Sequence, residues 1–256
     1  MRTPWSEQDE LAYVRRSFAQ HSALSYGRDD AADASPLYAH LAHESAQDDD
    51  LLRLTLGANT LPQRPHLLFA AAHYLLLSGR QDTLQDTLAE YFPDLTPTPR
   101  PSGEAYPVFR AFCFSHAADI RRLITTYGVQ NNEVGRCADL LLGFDEVARR
   151  GDGKPLALIE LGSSAGLNML WDQYGYEYAG MGYVGDRASP VQLACAPRGD
   201  FMPPLPNTIP TISWRIGVDL HPLDVRSDED VRWLRALIWP EHRDRAQRIW
   251  SALGPS

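Results

Sequence analysis

Cysteine is scarce in this chain of 256 residues: Cys113, Cys137 and Cys195 are odd in number, far apart and without C-x-x-C spacing. Their scarcity excludes a disulfide framework and a cysteine-based zinc site, and it predicts reduced thiols in a cytoplasmic protein. Positive charge is also in deficit, with 24 Lys and Arg against 33 Asp and Glu, a net charge of −9 and a pI near 5.3. Neither a nucleic acid nor an anionic membrane is expected as the main partner of such a surface; the expectation of a small-molecule ligand comes from the glycine loop described below. No apolar run is long enough to span a bilayer, since the longest, Leu67 to Leu77, is interrupted by His73. The polar start Met1-Arg-Thr-Pro-Trp-Ser-Glu-Gln-Asp-Glu10 lacks the apolar core of a signal peptide. Internal repeats, low-complexity tracts and heptads are absent. His40, His43 and Glu44 share a helix face but lack H-E-x-x-H spacing, so no metal site is expected.

The chain does have 44% hydrophobic residues, enough for one large or two modest domains. Residues 1–150 read as helices. Ser6 caps the first, with Leu11, Val14 and Phe18 at helical spacing; Ser35-Pro36 opens the second, burying Leu37, Tyr38 and Leu41; Leu51 to Leu56 is a further helical patch. His66 to Ser78 is apolar nearly all round and ends at Gly79, which makes it the centre of the helical region. Proline-rich breaks lie before it at 61–65 and after it at 92–103. From Pro107 one long helix carries Val108, Phe109, Phe112, Cys113, Ile120, Leu123 and Ile124 as a stripe. Asn131 or Asn132 caps another that buries Val134, Leu140, Leu141, Phe144 and Val147. His73 and His116, on apolar faces, read as hydrogen-bonded core histidines.

The pattern changes at Leu156-Ala-Leu-Ile-Glu-Leu-Gly-Ser-Ser-Ala-Gly-Leu-Asn168, a strand, a glycine-bracketed loop and an amphipathic helix with Leu167, Leu170, Trp171 and Tyr174 on its packing face. The unbroken apolar run predicts a strand buried on both faces of a parallel sheet, with ligand chemistry beyond its carboxyl end. The loop has two readings. As a nucleotide-type glycine turn it offers Glu160 to a charged amino group, with Gly162, Ser164 and Gly166 leaving room for the rest of the ligand. As G-x-S-x-G it is a nucleophile elbow with Ser164 as nucleophile, and Asp219 or Asp224 and then His242 follow in the order a hydrolase needs. Residues 176–185 alternate as a glycine-punctuated hairpin, Val191 to Cys195 reads as a short strand, and Thr211 to Asp219 as a second main strand with Ile212, Trp214, Ile216 and Val218 on one face. Ser227 with Asp230 starts a helix through Leu237 that stops before Pro240.

The ordered set His73-Tyr-Leu-Leu-Leu77, Phe109-x-x-Phe-Cys113, Val129-Gln-Asn-Asn-Glu-Val-Gly-Arg136, the 160–168 loop, Trp214-Arg-x-Gly-Val-Asp-Leu-x-Pro-Leu-Asp224 and Trp233-Leu-Arg-Ala-Leu-Ile-Trp-Pro-Glu241 resembles the bacterial domain of unknown function 2332 family over nearly the whole chain. The family in turn resembles Rossmann-type S-adenosylmethionine-dependent methyltransferases. The resemblance implies an α/β fold: a helical region over 1–150, then a partial Rossmann-like (methyltransferase-like) parallel sheet over 151–256 with a β-hairpin insertion near 176–210. It implies S-adenosylmethionine as cofactor, bound by Glu160, Gly162, Ser164, Gly166, Asn168 and Asp219. Asn168 serves as a polar contact or a helix-start residue, and Asp219 bridges ribose hydroxyls or caps the next turn. Asn132, Glu133 and Arg136 are the candidate substrate-binding residues. No general base is marked.

Relatives resembling this chain continue beyond the Trp-Pro-Glu segment, whereas 15 residues follow Glu241 here. Either a truncated chain or a smaller sheet is therefore expected. Asp219 lies 53 residues past Gly166 instead of the roughly 20 of a Rossmann unit, which makes the hairpin and proline loop an insertion between the two main strands. Three functions follow: methyl transfer to an unknown acceptor, serine hydrolysis through Ser164, or non-catalytic ligand binding or interaction.

Overall fold

The computed structural model describes residues 6–27, 34–58, 63–79, 82–130, 133–199 and 203–253. In chain order the helices are α1 (Glu7–His21), α2 (Pro36–Ser45), α3 (Asp49–Leu54), α4 (Arg64–Leu77), α5 (Thr83–Ala89), α6 (Tyr106–Ser115), α7 (Ala117–Thr126), α8 (Cys137–Arg150), α9 (Asp228–Ala236) and α10 (Arg243–Leu253). The strands are β1 (Leu156–Leu161), β2 (Gly175–Tyr178), β3 (Gly182–Gly185), β4 (Gln192–Cys195) and β5 (Ile212–Val218). The protein is thus a mixed α/β chain. It forms two compact units, Met1–Gln130 with Asp228–Arg243, and Asn131–Ser227 with Asp244–Ser256.

The first unit is helical, and α1, α2, α3 and α5 start where side chains satisfy orphan N–H groups of the first turn. Ser6 Oγ accepts the Asp9 N–H at 3.2 Å, Ser35 Oγ the Tyr38 N–H at 3.2 Å, and Asp82 Oδ1 the Gln85 N–H at 2.8 Å. α4 is buried continuously from Leu67 to Leu76 and packs against α1, α5, α7 and α9. Phe69 anchors this core, meeting Phe18 edge-on at 5.9 Å, Tyr38 stacked at 4.8 Å and Phe109 at 5.7 Å. α9 closes the unit: Trp233 stacks on Tyr127 at 4.7 Å and donates its indole N–H to the Gly128 carbonyl at 3.0 Å. Both suspected core histidines are hydrogen-bonded. His73 lies between Asp94 Oδ2 (3.0 Å) and the Ala236 carbonyl (3.3 Å), and His116 between Asp82 Oδ2 (3.0 Å) and the Phe112 carbonyl (3.1 Å).

The single long helix expected from Pro107 is two, α6 and α7, broken at His116. Without a proline or glycine there, the break has a tertiary cause: the imidazole bonds back to Phe112 O and outward to Asp82, and holds its own backbone at φ −109°, ψ 24°.

In the second unit β1 and β5 pair in parallel, with Ala157, Ile159 and Leu161 opposite Trp214, Ile216 and Val218. A separate three-stranded sheet has the order β3-β2-β4; β2 and β3 form the expected antiparallel hairpin, and β2 runs parallel to β4. The expectation that β1 is buried on both faces is overturned. Burial alternates along it, and Ile159 (62% exposed), Leu161 (80%), Trp214, Ile216 and Val218 all show one face of the sheet to solvent. Two strands make too narrow a sheet to be sandwiched between helical layers. Leu140 and Val147 of α8, expected in the core, are exposed as well, while Cys137, Ala138 and Leu141 form that helix's buried face.

The α-helix expected after the glycine loop is a 3₁₀ helix, Leu167–Gln173. Side chains capture its carbonyls: Tyr174 OH donates to Leu167 O at 2.6 Å, Arg215 Nη1 to Met169 O at 2.7 Å and Tyr176 OH to Trp171 O at 2.5 Å. These donors stand in for the amides an α-helix would supply, and Gly166, left-handed at φ 74°, sets the entry. Packing against α8 completes the unit, with Phe144 on Trp171 at 4.7 Å and Tyr178 OH donating to Ala138 O at 2.5 Å.

Candidate functional site

The alternation of β1 turns Glu160 to the half-buried face with Leu156 and Leu158. Burial pushes its carboxyl above the usual range, and a hydrogen bond from Asn168 and the charge of Arg136 oppose that push. Its Oε2 is buried and has no hydrogen-bond partner among the described residues. The Cys137 thiol lies 3.7 Å from both the backbone and side-chain oxygens of Asn168, and burial, with Glu160 and Glu133 adding negative charge, pushes it up to about 12. Cys137 is accordingly a neutral neighbour of the carboxylate, not a nucleophile.

Beyond Glu160 the chain turns through three left-handed residues, Gly162 (φ 76°), Ser164 (φ 52°) and Gly166 (φ 74°). The turn is tied to the segment after β5. Gly162 N–H donates to Val218 O at 2.8 Å, Ser164 N–H to Asp219 Oδ2 at 2.7 Å, and Leu223 N–H to Ser164 O at 3.2 Å. The other Asp219 oxygen accepts the His221 N–H at 2.8 Å. Asp219 is therefore a clamp between two loops. Space above Gly162 is open: a methyl group there would meet nothing within 4 Å. At Gly217 of β5 the same methyl would lie 2.5 Å from Ser163 Oγ, so only glycine lets the loop approach the strand this closely. Ser164 is buried.

Glu160, Asn168 and Arg136 therefore share one neighbourhood, and Gly162, Ser164, Gly166 and Asp219 form the loop beside it. Glu133 is held differently. Its carboxylate accepts the Gly135 N–H at 3.0 Å and pairs with Arg245 and, at 3.4 Å, with Arg248 of α10. Asn132 lies outside the described residues. Sequence reasoning missed three supporting groups: Gly217, Cys137, and the pair Arg215–Asp172, whose two contacts at 2.8 Å hold the 3₁₀ helix against β5. A signal existed for Arg215, a charge within an otherwise apolar alternating strand. None existed for Cys137, whose place depends on how α8 packs.

The family model of uncharacterised proteins conserved in bacteria, DUF2332, matches residues 20–254. The chain belongs to this family. No curated protein and no solved structure matches this DUF2332 chain. Among its described residues no helix is long and apolar enough to cross a membrane, and no group of three or more His, Cys, Asp or Glu is arranged to hold a metal ion.

Proposed function

We propose that this DUF2332 protein binds S-adenosylmethionine at the loop after β1 and transfers its methyl group to an unidentified small-molecule acceptor, with β1 and β5 as neighbouring strands of a Rossmann-like sheet. The observation that carries the proposal is Glu160 Oε2: a buried carboxylate oxygen without a donor among the described residues, at the carboxyl end of a parallel strand, beside a left-handed glycine turn. A carboxylate so placed is costly until a cation meets it, and the ammonium of the methionine part is such a cation.

The open backbone at Gly162 leaves room for the ligand's carboxylate and sugar, and Asn168 orients Glu160. Asp219 and Gly217 keep the turn in shape, and Arg136 and Glu133 border the acceptor side. The cofactor supplies an activated sulfonium methyl; the protein's part is to position it and exclude water.

Calorimetric titration with S-adenosylmethionine and S-adenosylhomocysteine tests this. Saturable binding is expected, weakened in Glu160→Ala by the loss of a charged hydrogen bond, about 1.5–3 kcal/mol or roughly 10- to 100-fold in Kd. Unchanged affinity in Glu160→Ala, or no binding by the folded chain, would sink the assignment. Esterase activity abolished by Ser164→Ala would favour the nucleophile elbow instead.

A further inference from the structure

Two apolar surfaces of the second unit lack a partner among the described residues. The first is the outer face of the β1/β5 sheet, where Ile159, Leu161, Trp214, Ile216 and Val218 are between 48% and 80% exposed and Leu220 just beyond is 92% exposed. In-register pairing places them side by side, so they form one patch. It offers roughly 600–800 Å² of side-chain surface, at or above the largest apolar patch of an ordinary monomer. The second is the stripe on α8, where Leu140 and Val147 are exposed with Gly143 between them, spaced to lie along one side of the helix. A parallel sheet is stable when a helix covers each face, and a helix with an exposed aliphatic stripe and a glycine for close approach is such a cover.

We propose that these two surfaces are the halves of a homodimer interface, in which each copy seats the α8 stripe of its partner on its β1/β5 face. The area argues for a second copy: the sheet patch alone approaches the roughly 800 Å² per partner of a standard stable interface, and the stripe adds to it. Exchange of the two surfaces under a two-fold axis covers both and leaves neither over. Charge also permits it. The chain carries −9 overall, yet the sheet patch has no ionisable side chain, and two of the three acids of α8, Asp145 and Glu146, are paired within the helix, leaving Asp139 in its first turn. Arg149 pairs with Asp145 (3.2 Å) and Glu146, and Arg150 pairs with Glu146 (2.7 Å). Two copies can therefore approach here with less repulsion than their net charge imposes elsewhere, Asp139 being the one acid of α8 outside those pairs.

Sedimentation velocity on the full chain, from about 1 to 100 µM, tests the proposal. A closed dimer is expected, with Ile216→Lys and Val147→Lys each raising its Kd by roughly 100-fold or more, as a buried unpaired charge should. Both side chains are exposed, so far-UV circular dichroism and Tm measured at low concentration should match those of the parent. A monomer at the highest concentration would overturn the proposal, as would an open-ended series of oligomers or a dimer that survives Ile216→Lys. A dimer broken by Ile216→Lys but untouched by Val147→Lys would remove α8 from the interface and overturn the exchange.

Discussion

α4 and β1 are both nearly unbroken apolar runs, yet α4 disappears into a core while β1 shows Ile159 and Leu161 to solvent. The difference lies in what each element needs. A helix completes its backbone hydrogen bonds internally, and α4 needs only neighbours with apolar stripes, which α1, α5, α7 and α9 supply. A strand needs partners along both edges and cover on both faces; β1 has one strand partner, β5, and cover on the Glu160 side. Apolar sequence is therefore evidence of a burial requirement, which the helical unit meets from within itself.

The sharpest contrast should come from equivalent truncations. Phe69→Ala removes a ring packed on Phe18, Tyr38 and Phe109 and should cost about 3–5 kcal/mol in urea denaturation, whereas Ile159→Ser on the open face should stay within about 0.5 kcal/mol at low protein concentration. Equal losses would mean that the sheet face is covered in solution.

Acid should discriminate between the units next. His66 in the helical unit, buried and beside His21, is lowered from 6.5 to about 4 and hydrogen-bonds through Nδ1 with the Tyr26 hydroxyl at 2.6 Å. The unfolded chain takes up this proton first. Stability is therefore complete above pH 6.5 and is lost as pH falls toward 4, by up to about 3 kcal/mol, and His66→Gln should flatten the profile. An unchanged pH dependence of the denaturation midpoint in His66→Gln would remove this histidine as the cause.

Arg215→Met should cost about 2 kcal/mol by breaking the two bonds to Asp172, and it should release the 3₁₀ helix and weaken ligand binding with it. Amide exchange confined to residues 163–174 would report that release, and exchange spread over the first unit would contradict it. The smallest effect has the opposite sign. Burial raises the Glu160 pKa, so the folded state holds that proton more tightly, and ionisation at neutral pH works against folding. Glu160→Gln should raise Tm slightly while weakening S-adenosylmethionine binding by no more than Glu160→Ala does; a lower Tm would show that the carboxylate has a structural partner.

Much of the helical unit was legible in the sequence because its signals are local. Ser6 and Ser35 cap where expected, the run ending at Gly79 is the central helix, and α9 stops before Pro240. The break at His116 was not legible, since it depends on Asp82, 34 residues away in the chain. In the second unit β1, the hairpin and β5 were readable from periodicity, as was the left-handed loop from its glycines. The 3₁₀ form of Leu167–Gln173 was not, because its carbonyls answer to Tyr174, Tyr176 and Arg215.

The sequence by itself determined where most elements lie and that Glu160 ends a strand beside a glycine-rich turn, because φ preference, capping and hydrophobic period act over a few residues. Only the tertiary structure decided which apolar faces are covered, that Asp219 clamps the loop, and that Arg136, Cys137 and Asn168 surround a carboxylate oxygen left without a donor. Those depend on the approach of segments far apart in the chain, for which no local pattern carries a signal.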